Sequence, residues 1–180
     1  MNPILCVLYL FPTAIPKTDF LYNLHNDTWS LVKWNTAKLG PQPTLAQLEA
    51  AWPVAQLQAA QATQRTLINA SCIAAMTGGF QSSALGTANT YPSTLTDQHN
   101  LSGSVIASLL PNLPSTWTTP FWCQDSTGAW SLVQHTSAQI QQVGIDGKSW
   151  ITAQQEKLAS LNAQIDAAGT VSAVQAVVWP

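Results

Sequence analysis

Phe121-Trp122-Cys123-Gln124-Asp125-Ser126-Thr127-Gly128-Ala129-Trp130-Ser131-Leu132-Val133-Gln134-His135-Thr136-Ser137-Ala138-Gln139-Ile140 holds the two changes of pattern that decide the fold. Aromatic and β-branched residues flank the turn Asp125-Ser126-Thr127-Gly128, which predicts a β-hairpin with strands at Phe121-Trp122-Cys123 and Trp130-Ser131-Leu132-Val133. Near Thr136 or Ser137 the apolar period lengthens from two to that of a helix. Ile140, Val143, Trp150, Ile151, Leu158, Leu161 and Ile165 then line a long helix reaching about residue 168. Gly169 suits the position just past its end, and a short helix over 171–178 closes the chain.

Working outward, Trp130-Ser131-Leu132-Val133 has a copy at Trp29-Ser30-Leu31-Val32, and Ser137-Ala138 matches Thr36-Ala37 at the same offset. The match reads either as a repeated hairpin-plus-helix unit or as shared strand chemistry. The earlier copy belongs to a predicted hairpin of Phe20-Leu21-Tyr22-Asn23-Leu24, the turn His25-Asn26-Asp27, and 29–34. The apolar run 3–11, limited by Pro12 and Pro16, reads as a buried strand.

Between the two hairpins the chain is rich in Ala, Leu and Gln, all good helix formers. Thr44 and Gln47 have capping-box spacing, and Pro53 is expected to end or kink the helix they start. Helical pattern resumes from Val54 to about Ala75. Residues 77–93, with Gly78-Gly79, Gly86 and Pro92, read as a long loop, and length of that order suggests a use. Thr94 caps a further helix carrying Leu101, Val105 and Leu109 on one face. The expected class is α+β: two β-hairpin-plus-helix units joined by a mostly helical middle, with a long C-terminal helix. The expected segments are 1–43, 44–114 and 115–180.

Composition narrows the function. Charged residues make up 8% of the 180, against roughly 25% in average soluble domains. A neutral polar surface is covered at little desolvation cost, which suits a subunit of an assembly. The six basic residues are scattered, so neither nucleic acid nor an anionic membrane is an expected partner. The run 4–11 is too short to span a bilayer and lacks the flanks of a signal peptide. Cys6, Cys72 and Cys123 are odd in number and without CxxC spacing, so reduced, buried thiols are expected rather than a disulfide framework or a zinc site.

No catalytic or cofactor motif is present, and no enzyme activity, cofactor or metal is expected. His25, His99 and His135 are read as exposed or capping side chains. Asp97 and His99, at i and i+2, do not share a helix face for a metal. Most of the eight tryptophans are expected in the core, although exposed ones would form a platform for a sugar or a protein. The apolar line of the long C-terminal helix could pack on its own hairpin or pair with a second copy. Packing on the hairpin is favoured, because Gly144, Gly147 and Gln154 interrupt a heptad seam, and self-association is kept among the partner readings.

Two stretches carry a resemblance. Tyr9-Leu10-Phe11-Pro12, Asp19-Phe20, Trp34-Asn35 and Pro43-Thr44-Leu45-Ala46-Gln47-Leu48 resemble the start of small proteins encoded among tail genes of tailed phages and prophages. Across 77–179, Gly79-Phe80, Ser83-Ala84-Leu85-Gly86, Tyr91-Pro92, Leu95-Thr96-Asp97-Gln98 and 135–140 are similar to a domain of unknown function found in tail-fibre-associated proteins. The Gln-rich helix between the two stretches is the least anchored part.

The resemblance implies a tail component made in the host cytoplasm and carried in the virion. Such a component would attach or position fibres through contacts with fibre or baseplate subunits. The alternatives are a fibre-assembly chaperone that leaves the mature particle, and a glycan- or receptor-binding module using exposed tryptophan. Candidate partner-binding residues are Phe80, Leu85, Tyr91, Asp97, Trp122 and Trp130.

Overall fold

The first apolar run folds as a helix, α1 (Pro3–Leu10), where a strand was expected. A short apolar run does not by itself distinguish a buried strand from a buried helix. What decides is the Asn2-Pro3 start. The Asn2 side chain accepts the Ile4 N–H at 3.0 Å, and Pro3 occupies a first-turn position where a missing N–H costs nothing. The computed structural model describes residues 1–180.

The remaining elements follow in the order β1 (Phe20–His25), β2 (Thr28–Trp34), α2 (Thr36–Leu39), α3 (Leu45–Thr77), β3 (Phe80–Ser82), β4 (Asn89–Tyr91), α4 (Leu95–Ser108), β5 (Thr118–Gln124), β6 (Trp130–Thr136), α5 (Ser137–Ala167) and α6 (Val171–Gln175). The architecture is α+β, with two separate antiparallel sheets. The chain groups into two compact units, Met1–Thr66 with Ala163–Val178, and Leu67–Asn162 with Trp179–Pro180. The three consecutive segments read from sequence do not coincide with these units, because α3 and α5 each contribute residues to both.

In the first unit, β1 and β2 form a two-stranded sheet closed by Asn26-Asp27, both at positive φ (45° and 58°). That is the backbone of a two-residue primed turn, which Asn and Asp tolerate best among residues with a side chain. Phe20 is 1% exposed and packs with Cys6, Val7, Leu39, Leu48 and Ala51. The pairing slips between Leu21 and Tyr22, whose partners are Lys33 and Leu31, so Val32 is a bulged extra residue. Beyond the bulge Trp34 returns to the covered face, donating its indole N–H to the Gly40 carbonyl at 2.9 Å.

A buried carboxylate organises the loops around this hairpin. Asp19 is 3% exposed and accepts from the Ile15 N–H, the Lys38 ammonium and the Asn35 amide. The Lys38 hydrogen bond, helped by the Ile15 N–H, holds its carboxyl below the ordinary carboxylate range. Thr44 and Gln47 form the expected reciprocal cap of α3. Helix α3 then runs through Pro53 without ending. Pro53 and Glu49, whose carbonyl loses its partner, are both exposed, so solvent can satisfy the freed group. Gln61 and Gln64 complete the unit by donating to the Ile165 and Val177 carbonyls.

The second unit contains a four-stranded antiparallel sheet in the order β3-β4-β5-β6. Residues 77–93 are therefore not an open loop. They carry the short strands β3 and β4, which bury Phe80 and Tyr91. Tyr91 stacks on Phe80 and Phe121 at 5.7 and 6.4 Å. Thr94 and Asp97 form a full capping box at the start of α4. The glycines of α5 are notches. A Cβ at Gly144 would stand 2.8 Å from a Val105 methyl, and one at Gly147 2.8 Å from the Phe80 ring. Only hydrogen at those two positions lets α4 and Phe80 approach so closely.

Most tryptophans do not enter the core as expected. None of the eight is fully buried, and Trp122 and Trp130 are 50% and 47% exposed. Trp179 lies beneath the Lys157 ammonium, 5.2 Å from the ring centroid. All three cysteines are free and buried. The final helix stops at Gln175, three residues short of the expected 178.

Candidate functional site

Helix α4 presents two different faces, and each borders a depression in the second unit. On one side the spacing Leu101, Val105, Ile106, Leu109 meets Ile145 and Ile151 of α5 across an apolar groove of about 690 Å³. Phe80 forms part of its floor. Ile106, Leu109 and Ile145 are 65%, 66% and 59% exposed, and Lys148 is the only charged residue on the wall. Covering these side chains would remove apolar area from water at about 25 cal/mol per Å² without desolvating an ion pair.

The other side of α4 is polar. Asp97, Asn100, Gly103 and Ser104 recur at helical spacing and face Thr119, Pro120, Trp122 and Leu132 across a cleft of about 520 Å³. The register explains why Trp122 is there. Phe121 and Cys123 point into the core, so alternation sends Trp122 outward, where it sits opposite Leu132. Trp130, opposite Gln124, lies on the same outer face two pairs further along.

Of the six candidate residues, the structure brings Asp97 and Trp122 to one cleft and places Trp130 on the same sheet face. Phe80 and Tyr91, at 4% and 0% exposure, are core residues; Tyr91 is unable to meet a partner, and Phe80 only floors the apolar groove. Leu85 is partly buried against the same core. Ile106 and Ile145 were not singled out by sequence, and Leu109 was placed on the apolar face of α4 but not among the partner-binding candidates, although Ile106 and Leu109-Leu110 widen that stripe beyond what its own packing uses.

His135 is also corrected. It is fully buried, not exposed or capping. Its Nδ1 lies 2.9 Å from the Val133 carbonyl, which can only accept, so Nδ1 carries the proton. Nε2 therefore accepts from the Tyr91 hydroxyl at 2.9 Å. Desolvation lowers the imidazole pKa, opposed by the Val133 hydrogen bond, and burial pushes the Tyr91 hydroxyl well up. Both side chains are sealed from solvent, so this base and hydroxyl have no access to a substrate. No three His, Cys, Asp or Glu residues come together in an arrangement that could hold a metal ion. No helix is long and apolar enough to cross a membrane.

Residues 4–62 match a family model described as XkdW protein, and residues 56–178 match one described as a domain of unknown function, DUF4376. The two matches overlap at residues 56–62 within α3, so between them they cover the Gln-rich helix. No curated protein and no solved structure matches. The matches identify a phage-related protein. With more than half of its length covered by that second model, the chain belongs to the DUF4376 family of unknown function.

Proposed function

We propose that this protein is a structural component of a phage tail tip or baseplate that attaches or positions fibres, seating a segment of a fibre or baseplate subunit in the α4–α5 groove. The observation that carries the reading is the exposure of Ile106, Leu109 and Ile145 around an almost uncharged depression. A contiguous apolar surface of this kind marks a protein contact. The 8% charged composition favours the same use, since few ions need be desolvated when the surface is covered.

Mass spectrometry of purified particles tests the reading, using phage that carry either the unaltered gene or Ile106→Glu. The unaltered protein is expected in the mature virion, and Ile106→Glu is expected to be lost from it while still folding. Absence of the unaltered protein from mature particles would refute a structural role and point to an assembly chaperone. Full incorporation of Ile106→Glu would refute the groove as the seat.

A further inference from the structure

We infer that the cleft between the polar face of α4 and Trp122 binds a neutral saccharide. Its volume of about 520 Å³ falls within the ~300–1,000 Å³ of small-molecule sites. One wall carries a half-exposed indole beside Leu132, a flat apolar surface suited to the C–H face of a pyranose ring. The facing wall carries groups that suit hydroxyls. The side chains of Asn100 and Ser104 there, and of Thr119 on the Trp122 side, are uncommitted within the protein, whereas Ser102, on the opposite side of α4, bonds back to the Gln98 carbonyl at 2.9 Å. Asp97 spends only Oδ2 on its capping box, receiving the Thr94 N–H and hydroxyl, so Oδ1 remains to accept from a ligand hydroxyl.

The lining also selects among ligands. No lysine or arginine borders the cleft, Asp97 is its only carboxylate and the His99 imidazole its only basic side chain, so an anionic sugar or a phosphate meets a carboxylate without a permanent cation to offset it. Pro120 in the wall offers no N–H to an added strand, which disfavours an extended peptide. Gly103 stands at the cleft with open space where its Cβ would be. This inference does not depend on the apolar groove, because Ile106 does not line the cleft.

The test is binding of the full-length protein to an array of neutral and acidic oligosaccharides, followed by calorimetric titration of the neutral hits. Neutral glycans are expected to bind. Trp122→Ala is expected to weaken them about tenfold or more, the order of one lost aromatic contact, and Trp122→Phe to retain most of the affinity. Gly103→Leu fills the cleft at a helical position where leucine is preferred, so binding should vanish while the melting temperature holds or rises. Trp130→Ala, outside the cleft, should bind as the unaltered protein does. Failure to bind any neutral glycan, binding of acidic glycans alone, or undiminished binding by Gly103→Leu would each overturn the inference.

Discussion

The two hairpins carry the same Trp-Ser-Leu-Val tetrapeptide on their second strands, yet they turn it in opposite directions. In β2, Trp29 and Leu31 face the covered side and Val32 is exposed. In β6, Trp130 and Leu132 face solvent while Val133 and His135 point inward. The helices that follow also differ, four residues in α2 against 31 in α5. A strand of period two has no intrinsic inside, and the neighbours choose the phase. In the first unit the neighbour is α1 with Phe20. In the second it is the Phe80–Tyr91–Phe121 stack, which already fills the inner face. Identical residues therefore serve as packing in one place and as free surface in the other.

The contrast breaks most sharply at the anchor of the weaker sheet. Phe20→Ala removes the one fully buried side chain of a two-stranded ribbon and is expected to cost ~3–5 kcal/mol in chemical denaturation. Deleting Val32 removes the bulge that restores Trp34 to the covered side. The expected loss is about 2–3 kcal/mol, from Trp34 burial and its bond to Gly40, with a blue-shifted tryptophan emission component lost. In the second unit Gly147→Ala drives a methyl into the Phe80 ring, and a net cost of about 1–2 kcal/mol is expected after the gain in helix propensity.

Acid should separate the units. Burial holds His135 below its ordinary 6.5, so the unfolded chain takes up a proton that the folded chain refuses. Stability of the second unit is complete above that pH and declines as pH falls from it toward the lower folded value. Asp19 is held below its ordinary 3.8, so its contribution to the first unit persists until pH falls under that figure. NMR-monitored titration is expected to show the second unit loosening first, and His135→Gln should flatten its response as pH falls below 6.5. The smallest effect sharpens the original comparison. Leu31→Ser should cost about 1–2 kcal/mol, whereas Leu132→Ser should fall within about 0.5 kcal/mol of the unaltered protein in thermal melts.

What could be read from the sequence was local chemistry. Both hairpins, the Thr44–Gln47 and Thr94–Asp97 caps and the start of α5 at Ser137 follow from turn and cap residues within a few positions. What could not be read depended on partners distant in the chain. An apolar octapeptide became α1 because Asn2-Pro3 outweighed its strand-like look, and the three-residue strands β3 and β4 are too short to show a period. Gly144 and Gly147 looked like interruptions of a seam until Val105 and Phe80 were found seated in them. Trp122 was a site candidate by residue type, but its exposure required the pairing with Leu132. The groove residues Ile106 and Ile145 lie on different helices, and nothing in the sequence pattern joins them.

The three buried thiols give the molecule an internal clock. Cys6 is 0% exposed in the first unit, and Cys72 and Cys123 are 0% and 2% exposed in the second. Burial also pushes each thiol above its ordinary pKa, which keeps it protonated and unreactive while folded. An alkylating reagent can therefore modify each cysteine only during the moments when its surroundings open. The rate at which Cys6 and Cys123 are trapped reports how often each hairpin's core breathes, residue by residue and without any added label.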